Sequence, residues 1–181
     1  MKMSKLIRQA LPLFATILLL LLPYQAWAAD KDYVLNTAST GGTYHPVGTA
    51  IATLTKVKLL PKQKFSLTAV NSAGSGANVQ ALGAGTADFA ILQGLYGSYA
   101  ATGTGPISEP QKNLRSVTML WQNVEQFLVA NEKVKSGTVS DLMGLKGQSA
   151  GMGKQNSGTL GSNKVLLSGL GIDIGLSLIH I

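Results

Sequence analysis

The chain has 181 residues, 15 basic and 8 acidic side chains, a net charge of +7 and no cysteine. Without cysteine there are no disulfides, no zinc–thiolate sites and no thiol nucleophile, so a folded domain must rest on a packed core. The lysines are scattered and no basic stripe is interleaved with aromatics, which argues against a nucleic-acid partner.

The chain opens with Lys2, Lys5 and Arg8, continues as an unbroken apolar run over 11–22 and closes on Ala26-Trp27-Ala28. That order of charge, apolar core and small residues is a secretory signal, so cleavage is expected after Ala28 and residues 1–28 are expected to be removed. The apolar run is shorter than the ~20 residues that span a bilayer as a helix, and an uncleaved anchor is the alternative. Removing the three basic residues of this segment leaves a net charge of +4. With no cysteine to carry lipid, the expected location is the periplasm, as a free and monomeric protein. Its mild positive excess would attract acidic small molecules only weakly. The loose cluster Lys56, Lys58, Lys62 and Lys64 reads as a solvated face.

Beyond the signal, strand-like and helical runs alternate. Residues 33–38 read as a strand, and 46–60 as a helix with Val47, Ile51, Leu54 and Lys58 on one face. Residues 65–70 alternate like a strand, 76–83 form a short helix ended by glycine, 89–93 read as a buried strand and 95–101 as a helix. After a loop over 103–110, residues 114–121 and 126–131 read as two successive strands. A short helix over 139–143, a strand over 148–152 and a helix over 159–170 follow. The alternation predicts an α/β fold with a largely parallel sheet. The two adjacent strands near 121–126 break it, as a chain passing from one domain to another would. The expected division is a first lobe over 29–123 and a second, incomplete lobe over 124–175. The tail Leu176-Ser177-Leu178-Ile179-His180-Ile181 resembles a translated sequencing adapter. The natural chain is therefore expected to continue past Gly175, and His180 receives no role; a short apolar strand is the alternative.

Three polar, glycine-bearing loops lie between a strand and a helix. The first contains Ser39, Thr40, Gly41, Gly42, Thr43 and Tyr44; the second Ser72, Gly74 and Ser75; the third Ser157, Gly158 and Thr159. Glycines let a ligand approach the backbone closely. A helix start offers unpaired N–H groups and the positive end of a dipole, which suits a carboxylate or phosphate. In open α/β sheets ligands bind beyond the carboxyl ends of the strands, where these loops fall. The expectation is that amides near Gly42, Gly76 and Gly158 face one shared pocket. An ordinary strand–helix connection, capped by Ser39 or Thr40, is the competing reading of the first loop. No Gly-Lys-Ser/Thr ends the second loop, so it is not a phosphate P-loop. A dinucleotide loop would need an acidic residue at a later strand end, and Asp88 reads instead as a turn residue.

Single residues divide between site and packing. Tyr44 either covers a ligand or packs at its helix start, and Gln93 either donates to a carboxylate or lies on the surface. Tyr96, Tyr99 and Trp121 read as packing, and Arg115 as a surface or ion-pair residue. One usable histidine, His45, without cysteine or carboxylates at metal spacing makes no metal site. Gly74-Ser75-Gly76 lacks the spacing of a nucleophile elbow, which leaves an exported hydrolase built on Ser75 and His45 as the weakest reading. No catalytic residue and no cofactor are expected.

The stretch Ser39-Thr40-Gly41-Gly42-Thr43-Tyr44-His45-Pro46-Val47-Gly48 resembles the opening signature of the TAXI-type solute receptors of TRAP transporters. Ala81-Leu82-Gly83-Ala84-Gly85-Thr86-Ala87-Asp88-Phe89-Ala90-Ile91-Leu92-Gln93 resembles their second block, and 142–147 with 151–160 their third. The resemblance implies a two-lobed periplasmic binding protein of the type II class, not an enzyme. It would capture a small carboxylate or amino acid, such as glutamate, and deliver it to a permease driven by an ion gradient. By the same resemblance Ser39, Gly42, Thr43, Tyr44, Gln93, Ser157 and Thr159 would touch the ligand. The family often carries an aromatic where His45 stands and a polar pair where Gly94-Leu95 follow Gln93. A receptor for an ATP-driven importer, with the same fold, is the alternative.

Overall fold

The computed structural model describes residues 30–172. The expected signal over 1–28 and the expected adapter tail over 176–181 lie outside the described residues. Three strands, β1 (Lys31–Asn36), β2 (Phe65–Val70) and β3 (Phe89–Ala90), form a parallel sheet in the order β2-β1-β3. The helices are α1 (Tyr44–Lys58), the short α2 (Leu60–Gln63), α3 (Ser75–Gly83), α4 (Gly94–Thr102) and α5 (Gly158–Gly169). Single 3₁₀ segments lie at Asn131–Lys133 and Val139–Leu145. The protein is α/β with a parallel sheet, as the alternation predicts.

Alternation along β1 and β2 sorts the two faces of the sheet. Leu35, Leu67 and Ile91 are buried with Ala52 of α1, and Tyr33, Phe65 and Phe89 extend this core. The three rings pack with centroids 5.2–6.2 Å apart. On the opposite face Asp32 accepts from Ser66 Oγ (2.7 Å) and Thr68 Oγ1 (2.8 Å), tying β1 to β2 through side chains. Those two hydrogen bonds, with Lys56 adding a smaller attraction, hold the Asp32 carboxyl below its ordinary range despite an opposing effect of burial.

β2 lies at a sheet edge, where backbone N–H groups need partners. Leu67 N donates to Thr55 Oγ1 (3.0 Å), while Thr55 Oγ1 donates to Ala52 O (2.8 Å), so α1 covers that edge with a buried hydroxyl. α1 starts two residues earlier than the sequence suggests, because Pro46 falls in its first turn, where no intrahelical donor is needed. It stops at Lys58; Pro61 lies in the first turn of α2, and Lys64 caps the end of α2 in a left-handed conformation (φ 55°). α3 packs against β3 and α4, and α5 packs on α4. A second core of Val79, Tyr96, Ala100 and Ile107 fills the space beside α3 and α4.

The strands expected over 114–121, 126–131 and 148–152 do not form. β-prone composition supplies side chains, but a strand exists only when its backbone finds a ladder partner. In this part of the chain Met119 and Leu128 are 85 % and 96 % exposed, so these apolar side chains are not drawn into a sheet. The expected strand over 89–93 shortens to two residues. Ile91 N still donates to Asn36 O (3.0 Å), but Gln93 N turns away to Ser75 Oγ (2.9 Å).

Candidate ligand site

The carboxyl ends of β1 and β3 are locked by one residue to which the sequence pattern assigns no role of its own. Asn78, on α3, is fully buried. Its Nδ2 donates to Thr37 O (2.8 Å), just past β1, and to Ile91 O (2.9 Å), just past β3. Thr37, also fully buried, donates through both N and Oγ1 to Val70 O at the end of β2. Ser72 Oγ donates to Thr37 O (3.1 Å) and accepts from Gly74 N (2.9 Å). All three strand ends are thus held in one polar clamp, which fixes where the following loops begin.

On that clamp stands a compact group drawn from three corners. Ser75, at the start of α3, is buried and accepts from Gln93 N at the start of α4. Gly158, at the start of α5, presses against both: a methyl group there would lie 2.8 Å from Ser75 Oγ and 2.8 Å from Gln93 Oε1. The Tyr44 ring reaches in from the start of α1. Burial pushes its phenol up, a hydrogen bond with Ser75 opposes that shift, and the nearby Glu125 carboxylate adds to it. The Trp121 ring meets Tyr44 edge to face, with centroids 5.7 Å apart. Gln93 Nε2 donates to Glu125 Oε1 (2.9 Å), and Gln93 Oε1 is buried without a partner among the described residues.

Of the residues singled out from sequence, Tyr44, Ser75, Gln93 and Gly158 meet here. Ser72 and Gly74 lie directly behind them, with Gly74 at φ 116° so that the chain can pass Ser157. Ser157 Oγ caps α5 by accepting from Leu160 N (3.1 Å), and the Thr159 side chain is exposed. Ser39, Thr40, Gly41 and Thr43 lie on an exposed turn, and no side-chain cap bond starts α1. Tyr96 packs as expected: its ring lies on Gly161 of α5 and edge to face with Tyr99 at 5.7 Å. Arg115 turns onto the carbonyls of Lys112 and Leu114. His45 Nδ1 lies 3.3 Å from Thr37 Oγ1.

The expected convergence of three sets of amides takes a different form. Gly76 N (3.0 Å) and Ala77 N (3.3 Å), at the start of α3, both donate to Asn156 O of the third loop. Gly42 N instead turns back to Ser39 O (3.0 Å). The second and third corners therefore meet through a backbone carbonyl seated on a helix N-terminus, and the first contributes the Tyr44 ring in place of its amides. A carbonyl oxygen occupies a helix start for the reason an anion does, because unpaired N–H groups and the dipole both favour negative charge there. Glu125 was missed from sequence because no spacing motif marks it; it reaches the site from irregular chain, through its hydrogen bond with Gln93.

A parallel α/β sheet whose polar corners gather beyond its strand ends defines the class of α/β proteins that hold small molecules at that edge. Residues 35–178 match the NMT1-like family, and the chain belongs to it. This is a family of periplasmic substrate-binding proteins, generally without catalytic activity, whose role implies a small-molecule ligand and a membrane transporter as partner.

Proposed function

We propose that this chain is a TAXI-type solute receptor that captures a small organic acid or amino acid and passes it to a TRAP permease driven by an ion gradient. The carrying observation is the meeting of Tyr44, Ser75, Gln93 and Gly158 from separate strand-to-helix corners. The α3 amides that hold the Asn156 carbonyl form the seat a ligand carboxylate takes when the third loop withdraws. Residues 29–123 would form the first lobe and 124–175 the start of the second. Export through the 1–28 signal, with cleavage after Ala28, would put the receptor in the periplasm.

One helix terminus supplies about 0.3–1 kcal/mol toward an anion, whereas micromolar binding needs about 8 kcal/mol, so closure around the solute must provide most of the affinity. A solute at 100 times its Kd adds about 2.7 kcal/mol to the stability of the protein. The expected outcome is a rise in melting temperature with at least one member of a panel of organic acids and amino acids. The same protein, recovered from an osmotic-shock fraction, is expected to begin at Ala29 by N-terminal sequencing. No shift across the panel would overturn the receptor reading, and a cytoplasmic chain beginning at Met1 would overturn the location.

A further inference from the structure

We infer that the cavity between α4 and α5 is a second binding site, one for a small aromatic carboxylate, separate from the group at the strand ends. The inference stands apart from the receptor reading, since Tyr44, Ser75, Gln93 and Gly158 do not line this cavity.

The cavity has a volume of about 270 Å³. α4 supplies Tyr96 and Tyr99, the loop after it Pro106, the third loop Asn156, and α5 Leu160 and Lys164. A methyl group on Gly161 of α5 would lie 2.7 Å from the Tyr96 phenol oxygen, so the missing side chain is what makes room for that hydroxyl. Tyr96 is only 6 % exposed, yet neither its hydroxyl nor that of Tyr99 forms a hydrogen bond among the described residues. A buried hydroxyl without a partner costs free energy. Unlike Asn78 Oδ1 and Gln93 Oε1, the Tyr96 oxygen is not sealed on every side: it lies at Gly161, which forms part of the cavity wall. A ligand there would supply the partner it lacks. Burial first, and the neighbouring Tyr99 second, push the Tyr96 phenol up, so at neutral pH it is a donor.

Charge and shape narrow the occupant. No aspartate or glutamate lines the cavity, and Lys164 has neither an ion-pair nor a hydrogen-bond partner among the described residues. An ammonium and a free phenol hydroxyl together favour a carboxylate, whose charge-assisted hydrogen bonds are stronger than neutral ones. An amine would meet like charge at Lys164. The other walls are apolar or aromatic. Tyr96 and Tyr99 stand edge to face with centroids 5.7 Å apart, and a third ring can pack against such a pair by the same geometry. An engineered cavity of about 150 Å³ takes benzene, so the volume here suits one ring with a small polar substituent. A bare inorganic anion would leave Leu160, Pro106 and the two rings without an apolar partner.

Calorimetric titration of the purified chain at neutral pH and low ionic strength tests this with three probes: benzoate, benzamide (the same ring and shape without the charge) and acetate (the charge without the ring). Benzoate is expected to bind at least fivefold tighter than either of the others. Lys164→Gln, at an exposed position without a partner, is expected to bring benzoate within about twofold of benzamide. Tyr96→Phe, which keeps the ring, is expected to weaken benzoate by about threefold or more. Benzoate that binds no tighter than benzamide or acetate, or does not bind, overturns the inference. So does a benzoate affinity unchanged in either folded variant; an acid that ignores Lys164→Gln is held elsewhere, which favours the strand ends and the receptor reading. If Tyr96→Phe does not fold, Lys164→Gln decides alone. A melting shift with other organic acids that persists in Lys164→Gln upholds the receptor reading whichever way this inference falls.

Discussion

Asn78 shows how one side chain can set the geometry of a site it does not line. Its amide gives both protons to carbonyls that follow two different strands. Asn78→Ala leaves Thr37 O without one of its donors and Ile91 O without the one described here, in a buried setting. The expected loss is about 2–4 kcal/mol, read as a lower midpoint in urea unfolding. Gly158 makes the opposite demand, for the absence of atoms. Gly158→Ala would drive a methyl group to 2.8 Å from Ser75 Oγ and Gln93 Oε1, so both must move. A loss of about 1–3 kcal/mol is expected, by the cost of overpacking. Gly97, inside α4, has open space where a methyl would go, and Gly97→Ala is expected to stabilise by about 0.5–1 kcal/mol. Thermal melts of the two variants should therefore move in opposite directions.

Among the elements, the turn that opens the Val139–Leu145 segment is held by a single carboxylate. Asp141 accepts from Ser136 Oγ (2.7 Å), Ser136 N (2.9 Å), Lys135 N (3.0 Å) and Gly137 N (3.0 Å). The Ser136 bonds, above all the one from its hydroxyl, and the backbone N–H groups of Lys135 and Gly137 lower its carboxyl to about 2, against an opposing effect of burial. Asp32 on β1 is shifted in the same direction. The unfolded chain binds these protons first, near the ordinary value of about 3.9, so the stabilisation is complete above that pH. It is lost as pH falls from about 4 toward about 2. Melting temperatures measured across that interval should drop, and Asp141→Asn should flatten the drop. An Asp141→Asn profile that falls as steeply as wild type would show that the turn does not carry the effect.

At the scale of the whole molecule, the strand-to-helix alternation was readable because period-two and helical apolar patterns are local. All three described strands and each helix of nine residues or more fall within a few residues of where that pattern places them. The irregular stretch between α4 and α5 was not readable in this way. Val117, Met119 and Leu128 have strand-like character, but the described sheet ends at β2 and β3 and offers them no ladder. The site divides along the same line. Ser75, Gln93 and Gly158 were visible as loop residues next to helix starts, whereas Glu125 and Trp121 reach the site by a long path without a motif. The match to the NMT1-like family fits this division, since it spans both the regular first part and the irregular second.

The amino-acid order alone determined the class of fold, the chain direction of the strands and the three places where a strand turns into a helix, because each depends on neighbours a few positions apart. Only the tertiary structure decided that the Asn156 carbonyl sits on the start of α3, that Tyr44 rather than the Gly42 amide completes the group, and that a carboxylate from 32 positions beyond Gln93 binds its amide. Those contacts join residues far apart in the chain, and hydrogen bonding and close packing across such separations leave no periodic trace in the sequence.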